Sequence, residues 1–245
     1  MLEVFAKTDV GRMRSINQDS IFVSTQSVGA LSNLFIVADG MGGHNAGEVA
    51  SGEAIKYFCG HIMSGDDTIT LPCDEVLDML TSAAYTANIG VRTQAQNNPQ
   101  LAGMGTTLTA CTICNSRCNI VHIGDSRAYQ ITEDNIYQLT TDHSYVNEML
   151  RAGQITPAQA INHPKRNVLT KVLGVSPDMM VDGYVFEIIP RSTILLCSDG
   201  LYNMVSEEEI KFLINTQQDP AIALINAANR NGGADNIAVI VIKCD

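Results

Sequence analysis

Apolar residues along this 245-residue chain follow two rhythms. Short runs that alternate with polar residues, or are apolar throughout and bounded by Gly, Asp or Asn, predict strands. They fall at residues 2–8, 20–25 and 34–38, then 106–114, 119–123 and 128–131, and finally 180–189, 193–197 and 237–242. A tight connection at Asn115-Ser-Arg117 separates two of the middle runs. Helical spacing appears from Ala46 to about Ile62, where Ala46, Val49, Ala50, Ala54, Tyr57 and Phe58 recur every three or four residues. It returns from about Asp74, with Val76, Leu77, Leu80, Ala84, Ala87 and Val91 on one face. Ser206 with Glu209 forms a capping-box signature for a late helix, and Asp219-Pro220 opens another that stops near Gly232.

Between residues 144 and 174 the pattern breaks into short helical pieces, interrupted by Gly153, Thr156-Pro157 and His163-Pro164. That segment is predicted to lie on the surface as an inserted flap. Helices otherwise come in groups between runs of strands, which predicts an α+β layered fold rather than a doubly wound parallel sheet. No linker, low-complexity tract or repeat divides residues 1–245, so a single domain is expected.

A formal net charge of −11 argues against nucleic acid as a partner, because phosphate backbones select basic faces. The N-terminus lacks a basic start followed by an apolar run, and no apolar stretch is long enough for a membrane helix. A cytoplasmic protein without membrane contact is expected. The seven scattered cysteines suit reduced thiols better than a disulfide framework. Cys111, Cys114 and Cys118 form a C-x2-C-x3-C run, but residues three apart on a strand face opposite sides, so core packing is expected there rather than zinc.

The informative acids sit at strand ends. Phe35-Ile-Val-Ala-Asp39-Gly40 and Leu195-Leu-Cys-Ser-Asp199-Gly200 both end apolar runs in Asp-Gly, and Ile120-Val-His-Ile-Gly-Asp125 ends a third. Asp235-Asn236 immediately precedes the last run, and Asp19 precedes the second. Strands hold their ends rigidly, so carboxylates placed there can be gathered into a fixed cluster. Several ionised carboxylates in one place require countercharge, and oxygen-only donors favour Mg2+ or Mn2+ over zinc. A glycine after the aspartate lets backbone come close enough for its carbonyl to serve as a ligand. Taken singly, each Asp-Gly is more simply a turn; their repetition at strand ends points to a metal centre.

At these positions the chain resembles the metal-dependent protein serine/threonine phosphatases of type 2C, particularly the bacterial branch. The resemblance runs nearly end to end, through Gly11-Arg-Met-Arg-Ser-Ile-Asn-Gln-Asp19, Val37-Ala-Asp-Gly-Met-Gly-Gly-His-Asn-Ala-Gly-Glu48 and Gly105-Thr-Thr-Leu-Thr109. It continues in Ile123-Gly-Asp-Ser-Arg127, Thr141-Asp-His-Ser144, Cys197-Ser-Asp-Gly-Leu201 and Gly233-Ala-Asp-Asn236. The resemblance implies a four-layer α/β/β/α sandwich of two antiparallel sheets flanked by helix pairs. It implies hydrolysis of phosphoserine and phosphothreonine in proteins by water activated between two Mn2+ or Mg2+ ions, opposing a Ser/Thr protein kinase, by a monomer. Asp39 looks like the carboxylate shared by both ions, Asp199 and Asp235 like further ligands of one, and the Gly40 carbonyl like a ligand of the other. Asp19 matches a position that holds metal directly or through water. Asp125 with Asp199 resembles the site of a third, weaker ion, and Arg14 falls on the arginine that grips substrate phosphate.

Two positions depart from many eukaryotic relatives: neutral Gln18 stands where they carry Glu, and Met41 where they carry a His thought to protonate the leaving group. That proton must then come from water or another side chain, with His44 and His143 as nearby candidates, each more simply structural. Two rival readings share the pattern: a metal-dependent hydrolase of nucleotides or small phosphoesters, and a binding module that kept the fold without the metals. Asp39, Asp199 and Asp235 together argue against the second.

Overall fold

In the computed structural model, which describes residues 2–43, 46–65 and 71–244, the predicted strands pair into two wholly antiparallel sheets. One runs in the order β1 (Glu3–Asp9), β11 (Ile237–Lys243), β10 (Thr193–Cys197), β7 (Arg127–Ile131), β8 (Ile136–Gln138). The other runs β2 (Asp19–Ser24), β3 (Leu34–Met41), β5 (Leu108–Cys114), β6 (Arg117–Ile123), β9 (Asp182–Glu187), with β4 (Gly105–Thr106) pairing the end of β3. Helices α1 (Ala46–Met63) and α2 (Val76–Asn97) pack on the second sheet. Helices α5 (Asp199–Tyr202), α6 (Glu207–Thr216) and α7 (Pro220–Arg230) pack on the first. The expected α/β/β/α sandwich is the observed one.

The layers explain why several strands lack polar alternation. In β10, Leu195 and Cys197 face the helices while Ile194 and Leu196 face the other sheet. In β11, Ile237, Val239 and Val241 face the helices, and Ala238, Ile240 and Ile242 the second sheet. A strand covered on both faces gains from apolar residues at every position.

The β5–β6 hairpin turns through Asn115 and Ser116, at φ 47° and 62°. Two consecutive positive φ values match the right-handed twist of the flanking strands, and Asn tolerates them well. The single strand expected at 106–114 is two pieces, because the Thr107 side chain turns toward the backbone of Asp39. The three-residue β8 carried no readable pattern.

The cysteine expectation needs correction. Cys73, just before α2, is joined to Cys114 at the end of β5, with Cα atoms 6.0 Å apart. A pair separated by 41 residues leaves no spacing signature, and an odd cysteine count never excluded one bridge. Of the run expected to pack in the core, Cys111 and Cys118 are buried thiols while Cys114 is the bridged one; Cys59, Cys197 and Cys244 are buried thiols too. Among the described residues no helix is long and apolar enough to cross a membrane.

The flap comprises α3 (Tyr145–Arg151) and α4 (Pro157–Ile161). Ser144 caps α3, and Thr156 with Gln159 forms a full capping box on α4. Its ends are stitched to the body: Ser144 bridges Leu169, and Leu173 bridges Thr106.

One glycine brings the two Asp-bearing segments of the first sheet together. A Cβ on Gly200 would overlap the Asn236 carbonyl oxygen. Gly200→Ala should therefore push α5 away from the start of β11, separating Asp199 from Asp235. We expect a loss of about 2–4 kcal/mol in stability, together with weakened Mn2+ binding, checked by denaturant unfolding and calorimetry.

Candidate metal centre

The five acidic positions converge on one end of the sandwich. Asp19 and Asp39 are direct cross-strand partners in the β2–β3 ladder. Like charges placed opposite each other destabilise a sheet unless something offsets them. Asp199 opens α5, Asp235 immediately precedes β11, and Asp125 lies in the turn between β6 and β7. Burial, then the neighbouring charges of Asp19, Asp199, Asp125 and Asp235, pushes the Asp39 carboxyl well above its usual range. Asp199 is raised likewise, by burial and then by Asp125, Asp235 and Asp19. Burial is also the main cause for Asp19, raised to about 7, and for Asp125, raised to about 6. Acids this close that resist ionising together await a positive charge.

Short hydroxyl and amide side chains hold the carboxylates in place. Ser198 Oγ donates to Asp19 Oδ2 at 2.6 Å while accepting the Ala238 N–H at 2.8 Å. The Asp39 N–H donates to Thr107 Oγ1 at 2.9 Å, and Thr106 Oγ1 donates to the Asp39 carbonyl at 2.9 Å. Thr107 Oγ1 also meets Ser126 Oγ at 2.7 Å, which links the Asp39 strand to the Asp125 turn. Asn236 accepts the Gln18 N–H and donates to the carbonyls of Val10 and Ile16, fixing the loop that carries Arg14. Asn203 donates to Asp199 Oδ2 at 3.1 Å.

Gly40 is pressed against the backbones of Gly47 in α1 and of Gln18, just before β2. A Cβ there would overlap the Gly47 carbonyl oxygen and lie 2.7 Å from that of Gln18. Arg14 lies beside the cluster, with Nη2 2.8 Å from Asp235 Oδ2.

The donor set fits hard divalent cations: carboxylates and a backbone carbonyl, with no histidine or thiolate among them. Asp19 Oδ1 supports the fit independently, being buried with no hydrogen-bond partner, which is costly for a carboxylate unless a ligand or water satisfies it. Among the described residues, no three His, Cys, Asp or Glu side chains already converge on one cation position. The carboxylates are neighbours that still need drawing together.

A cavity of about 640 Å³ opens from this cluster toward the flap. Arg14, Asp125, Asp199 and Asp235 line it together with Val146, Leu150, Ile161 and Arg166 of the flap.

The sequence profile of protein phosphatase 2C matches residues 12–221, which include every one of these carboxylates except Asp235. The chain belongs to the protein phosphatase 2C family. It is 38% identical to the serine/threonine phosphatase stp of Listeria innocua over 97% of its own length and 94% of that protein's. The Streptococcus agalactiae serine/threonine phosphatase superposes with a TM-score of 0.91 at 32% identity, covering 100% of both chains. The catalytic domain of PstP, solved with two manganese ions, superposes with a TM-score of 0.85 at 34% identity, over 100% of this chain and 99% of that one.

Within this phosphatase 2C domain, the structure brings together all the carboxylates singled out in the sequence. Of the two histidines considered for proton transfer, His44 lies outside the described residues. His143 is buried, with Nδ1 accepting the Gly124 N–H and Nε2 3.1 Å from Asp182 Oδ2. Both ring nitrogens are engaged in the scaffold, so it serves structure, the simpler of its two readings. Sequence reasoning missed Thr107, Ser126, Ser198, Asn203 and Asn236 as supports. The adjacency of four of them to a motif aspartate or threonine was the available signal.

Proposed function

We propose that this chain, a protein serine/threonine phosphatase of the 2C family, removes phosphate from phosphoserine and phosphothreonine using the centre described above. The observation that carries the assignment of the site is the convergence of mutually repelling, partly buried carboxylates beside an exposed arginine. Asp39, Asp199, Asp235 and the Gly40 carbonyl would hold two Mn2+ or Mg2+ ions, with Asp19 contributing directly or through water and Asp125 serving a third, weaker ion. The PstP structure with two manganese ions supports the core pair. When bound, such ions lower the pKa of water and offset charge on the phosphoryl oxygens.

The chain's own groups perform the rest. Arg14 lines the cavity with a half-exposed side chain, and its planar fork matches two phosphoryl oxygens. The Asp235 contact orients the guanidinium while leaving it at the surface. Ser198 anchors the Asp19 carboxylate and Thr107 the Asp39 backbone, which keeps the two acids opposite each other despite their mutual repulsion. The extent of the cavity, with the apolar flap residues on one side, favours a polypeptide over a small phosphoester. We further propose that the enzyme acts as a cytoplasmic monomer opposing a Ser/Thr protein kinase on the same substrates.

Phosphate release from phosphothreonine and phosphotyrosine peptides, with Mn2+ or with chelator, tests the reading. Mn2+-dependent release from phosphothreonine is expected; equal rates in chelator would sink it. Arg14→Ala should raise KM about tenfold or more with a smaller fall in kcat, because it removes charge-assisted bonds made to ground-state and transition-state phosphate alike. Unchanged steady-state kinetics on a phosphopeptide would reduce Arg14 to a surface partner of Asp235.

A further inference from the structure

A buried imidazole stands directly behind the Asp125 turn. The His143 backbone N–H donates to the Gly124 carbonyl at 2.7 Å, and the Gly124 N–H donates back to the ring at His143 Nδ1, 3.1 Å away. Gly124 has φ +109°, and a Cβ there would lie 2.5 Å from the Thr107 side chain, so this backbone has little room for an alternative path. A ring nitrogen that accepts an N–H carries no proton, which places the proton of a neutral ring on Nε2. Nε2 faces Asp182 Oδ2 at 3.1 Å and donates to it.

Asp182 is itself fixed. Lys171 Nζ lies 3.2 Å from its Oδ1, and the Tyr184 hydroxyl donates to Oδ2 at 3.1 Å. Lys171 Nζ also comes within 3.2 Å of His143 Nε2, but a protonated Nε2 cannot accept, so the ammonium pairs with the carboxylate. Burial holds the His143 ring on the neutral side, the state that Nδ1 acceptance requires. His122 stacks on the ring at a centroid separation of 5.0 Å, and Thr170 N–H donates to the His143 carbonyl at 2.9 Å. On the far side of the turn, the Tyr202 hydroxyl donates to the Asp125 carbonyl at 3.0 Å.

We infer that His143, kept in its Nε2–H tautomer by Asp182, is a positioning residue that clamps the Gly124–Asp125 backbone and so sets the affinity of the accessory cation site. It touches neither substrate nor cation; it acts through the main chain. The inference rests on the reading of Asp125 as ligand of the third ion. Lys171 and Thr170 lie at the returning end of the flap, so His143, through its backbone carbonyl and through Asp182, also ties the flap base to the Asp125 turn.

The test compares His143→Gln, whose amide reaches toward the Nε2 position, with His143→Asn, whose Oδ1 replaces the Nδ1 acceptor. Mn2+ binding by calorimetry and amide exchange of the Gly124 N–H are measured on the same preparations. His143→Gln should raise the Kd of the weakest Mn2+ site about tenfold or more, as groups that orient a ligand typically do. It should also speed Gly124 exchange while leaving the two tighter sites as in the parent. His143→Asn should recover most of both properties, and Asp182→Asn, which is partly exposed and expected to fold, should show a smaller shift in the same direction. The inference is overturned if Gln and Asn variants behave alike, or if all Mn2+ sites weaken together with thermal stability. Should the parent bind only two Mn2+ ions, the accessory role of Asp125 fails separately. Gly124 exchange then decides the clamp, upheld by faster exchange in the Gln variant and overturned by equal rates.

Discussion

Asp39→Asn should reduce phosphopeptide turnover by at least about 10³-fold while making the metal-free protein more heat-stable. An amide keeps the shape of the side chain but supplies neither the charge nor the second anionic oxygen that two cations would share. The backbone around it should not move. Thr106, Thr107 and the β2–β3 ladder hold the Asp39 main chain through bonds that the substitution leaves intact. Stability should rise because Asp39 is partly buried opposite Asp19 and close to Asp199, Asp125 and Asp235, all of the same sign. An active site commonly sacrifices stability in this way. Steady-state assays with saturating Mn2+ and melting curves in chelator check both halves. Near-parent turnover would remove Asp39 from the centre, and a lower chelated melting temperature would show that the cluster is not under electrostatic stress.

The second large effect is a reversal of pH dependence by metal. Asp19 and Asp125 have folded-state pKa values raised to about 7 and about 6, and Asp39 and Asp199 are raised well above the ordinary value of 3.8. A raised carboxylate means that the folded state holds protons the unfolded state has released. Its contribution is fully present below about 4 and is lost as pH rises through the folded value. His122, lowered to about 3 chiefly by burial, acts in the opposite sense, since its contribution is lost as pH falls below the unfolded value of 6.5. Above that pH the histidine is neutral in both states and drops out. Chelated protein should therefore lose thermal stability between pH 6.5 and 8. Saturating Mn2+ should restore it, because cations compete with protons for the same carboxylates and win as pH rises. Asp19 alone, raised from 3.8 to about 7, corresponds to about 4 kcal/mol at about 1.4 kcal/mol per pKa unit. At roughly 2–4 °C per kcal/mol for a domain of this size, the Mn2+-induced rise in Tm at pH 8 should be on the order of 10 °C or more. It should shrink toward zero near pH 5. A Mn2+ effect independent of pH would mean that the ions bind elsewhere.

Periodicity and motif chemistry made much of this protein legible before any fold was known. The unbroken apolar runs of β3, β10 and β11 announced strands, and the 3.6-residue spacing announced α1 and α2, because burial is selected at each position independently of distant sequence. Asp39, Asp125, Asp199 and Asp235 were readable for the same reason: each carries its local signature of apolar run and adjoining glycine or asparagine, whereas Asp19 is marked only by its place before a strand. Assigning them roles needed the family resemblance, since spacing alone cannot say which carboxylate two ions share.

Other features exist only once the sheets are stacked. The direct opposition of Asp19 and Asp39 follows from the β2–β3 register. The Ser198–Asp19 bond joins positions 179 residues apart across the two sheets, and Asn236 reaches back to the Gln18 backbone over 218. The Cys73–Cys114 bridge contradicted the expectation of reduced thiols, because half-cystines 41 residues apart meet only when the approach to α2 passes the end of β5. His143 stood in a motif and was a candidate for proton transfer; only its surroundings reveal which nitrogen accepts and which donates. Sequence determines what each residue can do locally, through side-chain chemistry and backbone preference. Which groups share a low-dielectric space, and so shift one another's charge and orientation, is decided by tertiary packing.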